Sequence, residues 1–228
     1  MPGLHYNNAG IPELLALIPA GARTVLDVGC GPGVNARLMR ARGLEVDGVT
    51  ISYEEAKIAG NFMRKCFVAD LDDGLPAEAR ENRYDCILFS HVLEHLRAPE
   101  QLVRQSTDLL TDEGVVLIAV PNVLNWRQRI AFMRGRFDYA DTGVLDRTHI
   151  HFYTFDSAPK LIAQADLVLD HLSARGGTPL WFLRRLAPKW LTAAVDAWGS
   201  ETFPGLVGNQ ILMRARRSRL PKQDPTPG

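Results

Sequence analysis

One stretch of the chain limits its fold more than any other. Thr24-Val25-Leu26-Asp27-Val28 is a short apolar strand pattern that runs into Gly29-Cys30-Gly31-Pro32-Gly33 and then into a helical pattern over Asn35 to Arg42, closed by Gly43. A strand that ends in glycines and hands over to a helix is the first half of a βαβ unit. The same rhythm then repeats. Leu44 to Ile51 reads as a strand, and Ser52 opens a helix with Glu55 placed as in a capping box. Lys65 to Ala69 and Tyr84 to Phe89 read as strands. Pro99 to Leu110 is a helix with apolar Leu102, Val103, Leu109 and Leu110, and Gly114 to Val120 is a strand stopped by Pro121. Short, nearly continuous apolar strands separated by helices predict a parallel sheet covered on both faces.

After Pro121 the rhythm breaks. Asn122 to Asp146 is rich in arginine and aromatics, Thr148 to Phe155 reads as extended, and Asp156 to Ala165 as a helix capped by Asp156. Leu167 to Ser173 and Gly208 to Arg214 supply two more strands. The expected organisation is a single α/β domain over residues 1–217, with insertions at 122–154 and 178–206 and a flexible, proline-rich tail at 218–228. The 228-residue length suits one elaborated domain. The formal net charge is zero, which gives no reason to expect nucleic-acid binding. The N-terminus lacks the charged flank and apolar core of a signal peptide, and the longest apolar run, Val115 to Val120, is too short to span a membrane. Cys30, Cys66 and Cys86 have no paired spacing, so neither a disulfide frame nor a zinc knuckle is expected. A reduced, cytoplasmic setting is the expectation.

The glycine turn carries the chemistry. The strand's carboxyl end delivers a ligand to a helix N-terminus, where unpaired N–H groups favour an anion and glycines allow close approach. A dinucleotide site asks for G-x-G-x-x-G. Here Gly29-Cys30-Gly31-Pro32-Gly33-Val34 brings the third glycine one place early, and Asp27 precedes the first by two residues. That carboxylate suits a ligand with an amino group as well as a carboxylate.

Val25-Leu26-Asp27-Val28-Gly29-Cys30-Gly31-Pro32-Gly33 closely resembles motif I of the class I methyltransferases that depend on S-adenosylmethionine (SAM). The resemblance runs from about Asn7 to Ser173 and takes in the last strand. It implies a Rossmann-like three-layer sandwich with a mostly parallel seven-stranded sheet and an antiparallel last strand. It implies SAM as cofactor and S-adenosylhomocysteine as product, with Asp27, Gly29, Cys30, Gly31 and Gly33 holding the methionine portion. In the family an acidic residue ending the second strand binds the ribose. Thr50 stands there in this chain, which is a departure, since a hydroxyl cannot accept from both ribose hydroxyls as a carboxylate does. Glu55, one helical turn later, is expected to take that role with Thr50; the alternative is Glu55 as a helix cap. Ile51 is also expected to contact the cofactor. Asp70 and Leu71 are expected at the adenine, or else form a solvated turn. Ser90 and His91 are expected near the methyl group.

His91-Val92-Leu93-Glu94-His95 fits the H-x-x-E-H zinc pattern in letters. It follows a buried strand and does not lie within a long helix, and Ser-His-Val-Leu-Glu-His-Leu is common wording after the fourth strand of SAM methyltransferases. No metal is therefore expected, and Glu94 and His95 are read as orienting the loop.

Methyl transfer needs the acceptor in line with the S–CH₃ bond, and a hydroxyl acceptor needs a base. In an extended run Arg147, His149, His151 and Tyr153 would share one face. His149 is the first choice as base, His151 the second, and His91 a further candidate. Pro121 to Arg129 with Asp146 to Thr154 resembles two branches: MetW-type proteins and bacterial methyltransferases acting on sugars, glycans or related small molecules. The resemblance implies a metal-independent methyltransferase for a small-molecule hydroxyl, such as a sugar, glycan precursor or secondary metabolite. The alternative is a cofactor-binding partner protein with little catalysis, which Thr50 favours. Trp181 to Phe203 mixes aromatics with Arg184, Arg185 and Lys189. It is expected to form a cap or a homodimer contact, with a membrane surface or lipid-linked substrate as the other reading.

Overall fold

The computed structural model describes residues 10–179 and 187–218. Seven strands form one sheet in the order β3-β2-β1-β4-β5-β7-β6. They are β1 (Thr24–Val28), β2 (Glu45–Thr50), β3 (Lys65–Val68), β4 (Tyr84–Ser90), β5 (Leu110–Pro121), β6 (Leu167–Gly176) and β7 (Gly208–Arg217). The first five pair in parallel, and β7 runs antiparallel between β5 and β6. This is the expected Rossmann-like sheet with its antiparallel last strand. The strand order turns back on itself between β1 and β4, and at such a point the carboxyl ends open into a crevice.

Alternation along the strands feeds two cores. Leu26, Val28, Ile87, Phe89, Val116 and Ile118 face one side, where α4 (Pro99–Thr107) and α6 (Ala158–Gln164) pack through Leu102, Val103, Leu161 and Ile162. Val25, Cys86, Leu88, Val115 and Leu117 face the other, against α1 (Pro12–Leu15) and α2 (Val34–Arg40) through Leu14, Leu15, Ala36 and Met39. Burying each leucine or isoleucine contributes about 1.5–3 kcal/mol. The third layer is therefore present, and the sheet is rigid where its ends carry polar groups.

Three local expectations change. The fourth helix stops at Thr107 instead of Leu110, because Ser106 Oγ and Thr107 Oγ1 bond back to the carbonyls of Val103 and Arg104. Leu110 then starts β5 early, opposite Tyr84. Thr148 to Phe155 forms no strand; its one ladder contact is an isolated bridge between Asn122 and Tyr153. The backbone N–H groups of Ile150 and His151 donate instead to Glu94 O, at 2.9 and 3.1 Å. Arg147, His149, His151 and Tyr153 consequently do not share a face, and Arg147 is exposed while His149 is buried. Asp156 does not cap the following helix. Thr154 and Ser157 exchange reciprocal side-chain bonds there, at 2.9 and 3.0 Å, and α6 starts at Ala158.

The first insertion carries α5 (Trp126–Met133), capped by Asn125 Oδ1, which accepts from Arg127 N and Gln128 N. The second carries α7 (Lys189–Thr202) and α8 (Pro204–Val207), with Trp190 and Trp198 exposed. Trp181, Phe182, Arg184, Arg185 and the tail from 219 onward lie outside the described residues. Among the described residues no helix is long and apolar enough to cross a membrane.

Candidate functional site

The glycine turn sits at the carboxyl end of β1. Gly29 N and Cys30 N both donate to Val49 O at 2.9 Å, which ties the turn to β2. Gly29, Gly31 and Gly33 all have positive φ, at 78°, 52° and 81°. A Cβ on Gly29 would fall 2.5 Å from Val92 Cγ2, and one on Gly33 2.9 Å from the backbone of Ala59. Gly31 is different: its open side meets the Glu55 carboxylate oxygens at 3.9 and 4.0 Å. Two glycines are thus demanded by packing, and the third leaves space toward an acidic group.

Asp27 lies beneath this turn, and only 1% of it is exposed. Neither carboxylate oxygen has a hydrogen-bond partner. Burial pushes its pKa up to about 7. A buried carboxyl with both oxygens unpartnered fits a ligand that brings a cationic amino group. Cys30 Sγ lies 3.8 Å from Cys66 Sγ, and Cys30, Cys66 and Cys86 are free thiols.

Thr50 and Glu55 come together. Thr50 Oγ1 donates to Glu55 Oε2 at 2.9 Å. Ser52 caps α3 (Tyr53–Ala59) by accepting from Glu55 N at 3.3 Å. The Glu55 carboxylate is not the return arm of a capping box; it turns toward Thr50 and Gly31. Ile51, at the end of this strand, is 70% exposed, beside Tyr53 at 79%. These apolar surfaces border the crevice, and Tyr53 was not singled out by the sequence pattern. Asp70 caps a short 3₁₀ turn (Leu71–Asp73), its Oδ1 accepting from Asp72 N at 3.0 Å, while Leu71 is buried.

Across the crevice β4 ends at Ser90, whose hydroxyl is buried without a partner. His91 takes a positive φ of 54°, and its N–H donates to Ala119 O. Its ring is held from both sides: Nδ1 donates to Glu94 Oε1 at 3.2 Å, and Nε2 accepts from Gln210 Nε2 at 3.1 Å. Glu94 is fully buried, and its Oε2 has no partner. His149 stands nearby with Nε2 3.9 Å from Glu94 Oε1 and Nδ1 donating to Val144 O at 3.1 Å. Burial lowers its pKa, which keeps the imidazole neutral and its Nε2 lone pair available. His151 stacks on Tyr153 with ring centroids 6.4 Å apart.

Gln210 was missed by sequence reasoning. Two amides, Asn209 and Gln210, just before the apolar run Ile211 to Met213 were the available signal, but the strand's partner had to be known before Gln210 could be assigned to His91. Glu94 was undervalued for a similar reason.

Among the described residues the buried side-chain polar atoms without partners are Asp27 Oδ1 and Oδ2, Ser90 Oγ, Glu94 Oε2 and Gln210 Oε1. The first two residues are on β1 and β4, Glu94 follows β4, and Gln210 pairs with Pro121 at the end of β5. All of them therefore lie toward the end of the sheet at which the parallel strands finish. Native proteins rarely leave such atoms unsatisfied, so this end of the sheet is suited to meeting a ligand.

A family profile described as a methyltransferase domain matches residues 4–172. The ubiquinone biosynthesis O-methyltransferase of Chromobacterium violaceum is 29% identical over 111 residues, covering 44% of this chain and 45% of the relative. The chain thus spans less than half the length of the ubiquinone relatives it matches. An uncharacterized methyltransferase of Mycobacterium sp. (strain KMS) is 27% identical over 85% of this chain and 76% of its own. A SAM-dependent methyltransferase from Archaeoglobus fulgidus superposes with a TM-score of 0.62 at 17% identity, covering 90% of each chain. One from Mesorhizobium loti gives 0.61 at 18% identity, over 92% of this chain and 99% of that one. The chain belongs to the methyltransferase domain family and is built on the fold of SAM-dependent methyltransferases.

Proposed function

We propose that this protein transfers a methyl group from SAM to a hydroxyl of a small-molecule acceptor. The observation that carries the reading is the pairing of the unpartnered Asp27 carboxyl with a glycine turn that leaves room only beside Glu55. Asp27 receives the methionine amino group, and Glu55 with Thr50 receives the ribose hydroxyls. Ile51 covers one face of the adenine, near Leu71 and the free oxygen of Asp70. Bound SAM supplies an electrophilic methyl carbon on a sulfonium.

The acceptor enters from the Ser90, His91, Glu94 and His149 side. Its hydroxyl gives up a proton to this group, with the His149 Nε2 lone pair the first candidate and His151 the second; His91 has both ring nitrogens engaged, by Glu94 and Gln210, and serves to position the site. The oxygen then bonds to the methyl carbon as the S–CH₃ bond breaks, with the electron pair left on sulfur. Crevice walls exclude water from this step. The first insertion supplies one wall, where the Val144 carbonyl fixes His149; a cavity of about 240 Å³ lies within that insertion, lined by Gln128, Arg136, Asp138 and Val144. The ubiquinone relatives, O-methyltransferases by name, support oxygen as the methylated atom. The other reading, a partner protein without turnover, drew on the missing carboxylate at Thr50. Glu55 at 2.9 Å supplies one, which leaves that reading less support.

Calorimetry with SAM and S-adenosylhomocysteine tests the cofactor site, and methyl transfer to a panel of phenols, sugars and nucleotide sugars tests the reaction. Absence of binding to both nucleosides overturns the proposal.

A further inference from the structure

The geometry points to a divalent transition-metal site formed by Glu94, His95 and His149. One potential ligand atom from each lies within 4.8 Å of the others. Donors sharing one zinc-type ion are about 3.3 Å apart at bond lengths near 2.0–2.1 Å, so adjustments of about an ångström close the set. The pair that the H-x-x-E-H letters suggest does not form. His91 has its Nδ1 on Glu94 Oε1 at 3.2 Å and its Nε2 on Gln210, so it offers no free lone pair, and His149, more than fifty positions on, supplies the second imidazole beside Glu94.

Both histidines are prepared for metal in the same way. His149 Nδ1 donates to Val144 O at 3.1 Å, which leaves its Nε2 as the lone pair facing Glu94. Thr148 Oγ1 donates to Asp146 Oδ1 at 2.7 Å and so accepts from His95 Nδ1 at 2.9 Å. His95 Nε2 is thereby also a lone pair. Histidine ligands ordinarily donate their second ring N–H to a carbonyl or other acceptor, which fixes the tautomer and orientation. The two rings meet edge to face with centroids 4.7 Å apart.

The third member makes an independent case. Glu94 is fully buried, and its Oε2 has no partner. A buried carboxylate oxygen left bare is costly unless a cation reaches it. Two imidazoles and one carboxylate suit zinc, manganese or iron(II) better than magnesium or calcium, which prefer oxygen alone. Three protein ligands leave a position open. His95 is only partly buried, so the site is within reach of solvent and small molecules. A hydroxyl bound there would ionise nearer neutral pH. With an ion bound, the His149 Nε2 lone pair is a ligand and no longer a base, so the ion replaces it in ionising the hydroxyl. This role rests on the methyltransferase reading, but the site itself does not.

The test uses the full chain, tag-free and stripped with chelator, titrated calorimetrically with Zn²⁺, Mn²⁺ and Mg²⁺. One equivalent of Zn²⁺ or Mn²⁺ should bind, and Mg²⁺ more weakly. His95→Ala and His149→Ala should each weaken binding by about tenfold or more, and Thr148→Val by a smaller factor. Cobalt(II) substitution should give a visible spectrum that both histidine variants change. SAM affinity is measured on the same samples and should persist in His95→Ala. No binding of Zn²⁺ or Mn²⁺ by the unaltered chain, or unchanged binding in His95→Ala, overturns the site. Metal binding without SAM binding overturns the methyltransferase reading and leaves the site standing. Far-UV circular dichroism checks folding, and if His149→Ala does not fold, the partly buried His95 decides.

Discussion

The two sides of the crevice are assembled by different means. On the β1–β2 side Asp27, the glycines, Thr50 and Glu55 lie within two successive strand-to-helix units. Parallel pairing of Val28 with Val49 brings them together almost automatically. On the β4 side the groups come from distant segments. His91 meets Gln210 across 119 positions, and Glu94 holds the His149 loop through backbone bonds to Ile150 and His151. A local motif made the first side; long-range contacts made the second. Changes on the first side should therefore alter cofactor affinity, and changes on the second the methyl-transfer rate.

The largest expected effect is on the local side. Asp27→Asn removes the buried charge that meets the amino group and should cost about 3–5 kcal/mol of SAM affinity, read by calorimetry. Retained affinity would break the contrast at its root. Gly33→Ala comes next. It combines a positive φ with a Cβ 2.9 Å from the Ala59 backbone, and should lower stability by about 2–3 kcal/mol in a denaturant titration.

Glu55→Gln should weaken SAM binding by about 2 kcal/mol, the worth of a charged hydrogen bond, while Thr50→Val should cost less. If the order were reversed, Thr50 rather than Glu55 would be the ribose group.

Asp27 also predicts a pH dependence. Its folded pKa of about 7 stands above its ordinary 3.8. Between those values the unfolded chain has lost the proton and the folded chain keeps it. Stability without cofactor therefore falls as pH rises from about 4 to 7 and levels off above, with a ceiling of about 4 kcal/mol. SAM binding needs the ionised form and should weaken about eightfold from pH 7.5 to pH 6. Asp27→Asn should remove the stability slope. The smallest effect belongs to the distant side: Gln210→Leu should slow turnover by about threefold through a misoriented His91 while SAM affinity stays unchanged.

Much of this was legible before the fold was known. The strand–glycine–helix spelling, the seven strands and the antiparallel last strand all lie in the sheet as expected. Asp27 and the Thr50–Glu55 pair were legible because their spacing is set by one strand and one helical turn. The Asp146 to Tyr153 segment was not. Period-2 alternation there suggested a polar strand face, but its N–H groups had a better partner in Glu94 O, a residue on another loop. Asp156 was misread as a cap because Thr154 and Ser157 could make a tighter reciprocal pair.

The sequence alone determined that this chain forms a doubly wound sheet with a ligand-binding turn, because strand period, glycine placement and helix start are all local properties. Tertiary structure decided which polar groups face one another across that turn. Glu94, His95, His149 and Gln210 became neighbours through sheet order and loop-to-loop backbone bonds. Such bonds satisfy buried N–H groups wherever a carbonyl is within reach, and sequence spacing does not record that distance.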